Sequence, residues 1–209
     1  MPVISTERMR DRRESILAAA SRVFSQKGFQ AASITEIAQA AGVSDGLVYK
    51  YFENKRDLLI STLTAFYERV MHDLEQQVEL GETFAHRLRL LVQTHLGVFV
   101  RDTGLCRLFI SEVRVATDYP GSAIQILNKR YTAVLTRIVR DGIENGEVQP
   151  DTDARVVRDL LFGAVEHMAW RHVTTRRPLD CERLGEQIAA IIVAGIAVPK
   201  PVARRRTAS

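Results

Sequence analysis

Asp45, Gly46, Leu47 and Lys50 fall within six residues, and their side chains suit the edges of DNA bases. A lysine ammonium donates to guanine O6 and N7, a leucine meets a thymine methyl, a carboxylate accepts from cytosine N4, and a glycine lets the backbone come close. To do this they must project from the first turns of one short helix, and the flanking residues are of the kind that makes one. Ser33 suits an N-cap, and Glu36, three residues on, can reach back to the Ser33 amide to complete a capping box. Ile34, Ile37, Ala38 and Ala41 then fall at i, i+3, i+4 and i+7 on one apolar face. Gly42 suits the left-handed conformation that follows a helix, Val43 anchors the turn, and Ser44 caps the next helix. A helix, a glycine turn and a second short helix make a helix-turn-helix pattern, whose second helix lies in the major groove. For Lys50 alone, the competing reading is a solvated surface lysine.

The rest of the chain reads as helical, with no alternating apolar pattern and no hairpin dipeptide between apolar strands. Helices are expected over 7–27, with Ile16, Ala20, Val23 and Phe24 inward and Gly28 as stop, and then over 54–80, 83–101, 105–116, 122–145, 151–174 and 180–198 beside the two short ones. Residues 1–56 carry nine Lys/Arg against six Asp/Glu, residues 57–198 carry sixteen against nineteen, and the remaining eleven carry four against none. A basic module on an acidic body is what is expected if only the first part approaches phosphates. Cys106 and Cys181 form neither a disulfide framework nor a metal motif. The amino-terminal residues lack the apolar core of a signal peptide, and the longest apolar run, 188–198, is too short to span a bilayer. A cytoplasmic protein without a membrane anchor is expected.

The run IAQAAGVSDGLVYKYFENKRDLL closely resembles the TetR family of bacterial transcriptional regulators. It matches the family's Ala-Gly-Val-Ser turn, its Tyr-x-[His/Tyr]-Phe helix end and the x-x-Lys-x-x-Leu that follows. The resemblance extends back through Arg13 to Gly28 and loosens beyond residue 60. It implies an all-α, two-domain fold, with a helix-turn-helix DNA-binding domain over 1–53 and a ligand-binding and dimerisation domain over 54–198. The basic segment 199–209 is expected to be a disordered tail, and Arg204, Arg205 and Arg206 in it are more readily solvated than bound to phosphate. The resemblance also implies that Ser33, Ser44, Tyr49, Tyr51 and Lys55 contact the phosphate backbone, fixing register rather than sequence. The competing reading makes the two tyrosines partly buried aromatics and Ser44 only a cap. Asp45 departs from the family, which often carries a non-acidic residue there and Thr at the position of Leu47. A carboxylate in that place is repelled by phosphate.

The same resemblance implies a double-stranded operator, a homodimer and a small-molecule inducer held among the later helices. Phe66, Phe99, Phe109, Phe162 and Trp170 are the candidates to line the cavity, with Glu112, Arg114 and Glu166 to orient a polar group; each could instead be ordinary core or solvated surface. The segments LFISEVRVAT and DARVVRDLLFGAVEHMAW resemble the fatty-acid-responsive, FadR-type branch, whose members release DNA on binding acyl-CoA. Other apolar inducers stay open. Val157, Leu160, Leu161, Ala164 and Met168 form one apolar stripe, and Leu184, Ile188, Ile191, Ile192 and Gly195 another, which together suggest an isologous four-helix contact. The alternative is that the last helix buries within its own monomer.

No cofactor and no metal site are expected, because His167 and His172 share no helix face and no His-Glu-x-x-His or Cys-x-x-Cys occurs. Neither a Gly-x-Ser-x-Gly elbow nor a phosphate-cradling Gly-Lys-Ser/Thr loop is present. The rival reading is a helical carrier or enzyme whose first module only resembles a DNA reader, and no catalytic constellation supports it.

Overall fold

The computed structural model describes residues 6–199, which form α1 (Thr6–Ala31), α2 (Ile34–Ala41), α3 (Asp45–Tyr51), α4 (Lys55–Glu79), α5 (Phe84–Arg101), α6 (Thr103–Leu108), a π-helical turn (Phe109–Val113), α7 (Ala123–Glu144), α8 (Ala154–Thr175) and α9 (Cys181–Ile196). The expected all-α architecture is what the chain adopts. Helix starts follow the short polar side chains in the sequence. Ser33, Ser44, Asn54, Thr83, Ser122, Asp153 and Asp180 each accept a backbone N–H from the first turn they precede. α6 is the exception: the Asp102 side chain before it instead accepts from Arg69 Nη2 at 2.7 Å.

Three expected boundaries change. α1 leaves helical geometry at Gly28 (φ 78°, ψ 172°), as expected of a stop, but the chain resumes a last helical stretch to Ala31. The helix expected over 105–116 is instead a short α6 that widens into the π turn. α9 ends at Ile196 rather than at 198, because Val148 and Ala197 form an antiparallel bridge, with Gln149 N–H donating to Ile196 O (2.9 Å) and Val198 N–H to Glu147 O (3.0 Å). Of the expected basic tail, only Pro199 lies among the described residues.

A continuous apolar core runs from Ile16, Phe24, Ile37, Val48 and Phe52 between α1, α2 and α3, through Leu58, Leu59 and Leu63 of α4, to Leu88, Leu91, Ile124 and Leu135 in the body. α4 thus shares one core with both parts, and α9 packs along α5.

Candidate nucleic-acid interface and ligand cavity

The capping box of α2 is complete: Ser33 Oγ accepts from Glu36 N–H (3.2 Å), and Ser33 N–H donates to Glu36 Oε2 (3.1 Å). Lys27 pairs with the same carboxylate, and with the Ser33 bonds it holds the Glu36 pKa below the usual range. Gly42 takes the left-handed conformation (φ 67°, ψ 35°), and Val43 N–H bonds back to Ala38 O at 3.0 Å, closing the turn. Ser44 Oγ then accepts from Leu47 N–H at 3.3 Å. Val48 and Phe52 pin α3 to the core, which leaves Gly46, Tyr49 and Lys50 exposed and Asp45, Leu47 and Tyr51 half-buried. The open face of α3 therefore carries one ammonium, one phenol and a glycine with free space above it.

Two residues expected at this face have structural partners. Asp45 Oδ2 accepts from the Thr35 hydroxyl at 2.6 Å, tying α3 to α2. The Lys55 ammonium donates to the carbonyls of Gln30 (3.3 Å) and Ala32 (2.9 Å) and sits 4.7 Å from the Phe29 ring centroid, so it braces the end of α1.

The body holds a half-open cavity of about 630 Å³ between α4, α5, the π turn, α7 and α8. Phe66, Phe99, Phe109 and Phe162 line it, as expected, with Arg114 and Glu166. Arg114 and Glu166 form a two-pronged ion pair, and the carboxylate raises the Arg114 pKa. Lys129, Arg158 and Asp159 stand on the more exposed α7–α8 side. Glu112 and Trp170 are corrections, since neither lines the cavity. In the π turn Arg114 N–H bonds to Phe109 O at 2.8 Å, five residues back, so the wider turn stacks Arg114 beside Phe109, with 5.9 Å from guanidinium to ring. Glu112 lies outside the lining, and its backbone carbonyl accepts from Arg56 Nη1 at 3.3 Å. On α8, Ala169 turns inward and Trp170, one residue on, turns outward and is 40% exposed.

Sequence reasoning missed Tyr67, His95, Asn128 and Tyr131 in the cavity wall. Tyr67 hydroxyl donates to Asn128 Oδ1 (3.1 Å), Asn128 Nδ2 donates to Tyr119 hydroxyl (3.3 Å), and His95 Nδ1 meets Tyr131 hydroxyl at 3.0 Å. Burial pushes both Tyr67 and Tyr131 upward and lowers His95 to about 3, which keeps the imidazole neutral. The available signal was His95 on the apolar face of its helix, four residues from Leu91 and from Phe99. His172, by contrast, links Arg177 O (2.7 Å) to the Thr103 hydroxyl (3.2 Å). Among the described residues, no group of three or more His, Cys, Asp or Glu is placed to hold a metal ion.

The expected association stripes divide. Leu161 (1% exposed) and Ile188 (7%) belong to the protomer's own core, which removes them from that surface. Leu160, Ala164, Met168, Ile191 and Gly195 are exposed, and Leu184 and Ile192 half-buried. α1 packs against both α4 and α6, and two contacts near this junction stand out. Arg56 Nη2 grips both carboxylate oxygens of Asp118, at 2.9 and 3.2 Å, just beyond the π turn. Gly104 of α6 abuts Ser25 of α1 so closely that a Cβ on it would stand 2.5 Å from Ser25 Cβ.

A capped helix-turn-helix head on a helical body with a half-open aromatic cavity defines a ligand-responsive DNA-binding regulator. The chain belongs to the TetR family of bacterial regulatory proteins: residues 16–62 match the model of that family, and residues 61–195 match that of the YsiA-like protein C-terminal region. It is 28% identical over 181 residues to the fatty acid metabolism regulator protein of Bacillus subtilis, covering 87% of this chain and 93% of that one. The transcriptional repressor KstR2 of Mycolicibacterium smegmatis is 23% identical over 189 residues, 88% of this chain and 90% of its own. The crystal structure of Bacillus subtilis FadR in complex with stearoyl-CoA superposes with a TM-score of 0.78 at 27% identity, covering 88% of this chain and 98% of that one. The protein is a transcriptional regulator and not an enzyme, and no helix among its described residues is long and apolar enough to cross a membrane.

Proposed function

We propose that this regulator is a cytoplasmic repressor that binds a palindromic operator as a homodimer and releases it on taking up an acyl-CoA or a similar amphipathic lipid. Residues 1–53 read the DNA, Gly46, Leu47 and Lys50 at base edges and Ser33, Ser44, Tyr49 and Tyr51 at phosphates. Residues 54–198 hold the inducer and the dimer contact. The observation that carries this reading is the π turn. Its Phe109 faces the cavity with the adjoining Arg114, while Glu112 O and the nearby Asp118 hold Arg56 at the base of the head. A ligand that moves Phe109 or Arg114 therefore pulls on the first turn of α4. The volume suits a small-molecule site, roughly 300–1,000 Å³ in general, and Lys129 suits a phosphorylated head group beside an aromatic-walled chain site, with Arg158, held by Asp159, next to it.

The mechanism is linkage: an inducer that binds better to a head spacing unsuited to the two half-sites lowers operator affinity, and the operator lowers inducer affinity by the same factor. Genomic fragments selected by the purified protein and footprinted at moderate salt should yield a short palindrome near a promoter, and stearoyl-CoA should release it. A palindrome that stearoyl-CoA leaves fully occupied, with equal stearoyl-CoA affinity on and off DNA, would refute the inducer assignment.

A further inference from the structure

Most polar groups facing the cavity are already satisfied. Arg114 pairs with Glu166, Arg158 with Asp159, and Asn128 is engaged by Tyr67 and Tyr119. His95 is different. Protein surrounds it, with Phe162 and Phe99 edge-on at 4.8 and 5.3 Å, yet it retains accessible surface, and that surface is cavity wall. Its Nδ1 is held by the Tyr131 hydroxyl, while Nε2 meets no protein partner among the described residues. Nor is Nε2 sealed in apolar packing, because the only such orphaned side-chain atom described is Asp102 Oδ2. Whichever tautomer Tyr131 selects, one nitrogen of a neutral imidazole opens into an aromatic chamber. A plain hydrocarbon chain lying there would strip it of water and offer nothing in return, which is costly for a buried polar atom.

We propose that the inducer carries a hydrogen-bonding oxygen, a hydroxyl or a ketone, on its apolar body, and that His95, oriented by Tyr131, recognises it. The proposal rests on the cavity being the inducer site and narrows the ligand class from plain acyl chains to oxygenated ones. A site built around a hydrogen bond rejects the analogue lacking that group, because the site's own polar atom is then left unpaired. His95 would thus be a specificity determinant that fatty-acid responsiveness alone does not require.

The test is displacement of a fluorescent apolar dye, 1-anilinonaphthalene-8-sulfonate, from the full-length protein by two ligand series of equal chain length. One series is stearoyl-CoA with its 3-, 10- and 12-hydroxy derivatives; the other is the corresponding free acids. At least one hydroxylated ligand should bind about fivefold or more tightly than its plain counterpart, the weight of one net hydrogen bond. That advantage should vanish in His95→Phe, shrink in Tyr131→Phe and partly return in His95→Gln. Should His95→Phe not fold, as judged by circular dichroism, Tyr131→Phe, which loses only a hydroxyl, decides. A wild-type preference for the plain chain over every hydroxylated one, or an advantage that survives both substitutions, overturns the proposal and leaves the acyl-CoA reading standing. A His95-dependent preference among free acids with no binding of any CoA ester upholds the proposal and removes that reading. Failure of both series to displace the dye removes both.

Discussion

Gly104→Ala tests whether head and body are mechanically joined through α6. The new Cβ would stand 2.5 Å from Ser25 Cβ, 2.6 Å from Ser25 Cα and 2.8 Å from Ser25 O. Ordinary contact begins near 3.4 Å, and two of the three obstacles are backbone atoms, so no rotamer change relieves the clash and α1 must part from α6. Overpacking of this kind costs about 1–3 kcal/mol. If the whole cost appears as lost stability, the melting point of a chain this size falls by roughly 2–12 °C. If α1 instead unseats, operator affinity falls by roughly 5- to 150-fold, because α1 braces the helices that present Lys50. The strain must surface in one readout or be divided between them, so thermal melting by circular dichroism and operator binding by fluorescence anisotropy are measured on the same preparation. Gly97→Ala is the control: there a Cβ meets only the mobile Arg101 guanidinium, at 3.0 Å, and alanine within a helix gains about 1 kcal/mol over glycine. It should melt at or above the wild-type temperature with operator affinity unchanged. A Gly104→Ala protein with wild-type melting and wild-type operator affinity would refute the close approach and the transmission argued from it.

Lys50→Ala should weaken operator binding by about 1–3 kcal/mol and relax base preference at one position per half-site, whereas Tyr49→Phe should weaken all sequences alike; competition with single-base operator variants separates the two, and equal loss across variants for Lys50→Ala would remove it as a base reader. Asp118→Asn removes the ion pair from the Arg56 strap and leaves its bond to the Glu112 carbonyl. With Asp118 67% exposed, the pair is worth at most about 1 kcal/mol, so the ratio of inducer affinities without and with operator should fall by up to about fivefold, and the difference should fade near 1 M salt; an unchanged ratio at low salt counts against the strap. His95 binds its proton near pH 3 in the folded protein and near 6.5 when unfolded. The unfolded chain therefore takes up the proton first as pH falls, so this group's contribution is fully present above pH 6.5 and is lost at about 1.4 kcal/mol per pH unit between pH 6 and 4. His95→Phe should flatten that part of the denaturant-derived stability profile, and equal slopes would show that His95 does not titrate as its burial demands.

The head was legible because its caps and its turn are local. The Ser33–Glu36 box, the Gly42 turn and the Ser44 cap each involve atoms within a few residues, and the structure closes all three. What escaped at the head are contacts that only folding creates. Lys55 finds carbonyls 25 and 23 residues earlier, and Asp45 finds Thr35 across the turn. A cation or an anion at a given position reads the same in sequence whether it faces a phosphate or caps a helix.

In the body, periodicity itself misleads. A 3.6-residue period carries Phe109 to Glu112 and Val113, but the π turn takes five residues to return, so of the two expected ionisable residues it keeps Arg114 beside Phe109 and leaves Glu112 outside the wall, with the Glu112 carbonyl accepting from Arg56. α8 poses the opposite problem, because two adjacent rows are both apolar. Val157, Leu161, Val165, Ala169 and Val173 are buried, while Val156, Leu160, Ala164 and Met168 lie exposed beside them. Nothing in their spacing says which row faces α5 and α7, and the expected stripe took members from both. The second row then carries its own consequence. With Val156 at 53% and Leu160 at 66% exposed, the protomer holds one side of α8 and leaves the neighbouring apolar side in water. α9 does the same with Ile191, 72% exposed, beside the buried Ile188. Large aliphatic side chains aligned on two helices and left in water favour burial against another surface, and an operator with two-fold symmetry requires a second copy of this chain in any case. We propose that these exposed residues, Leu160 of α8 and Ile191 of α9 among them, meet the second copy, with Leu161 and Ile188 buried in the protomer's own core beside them.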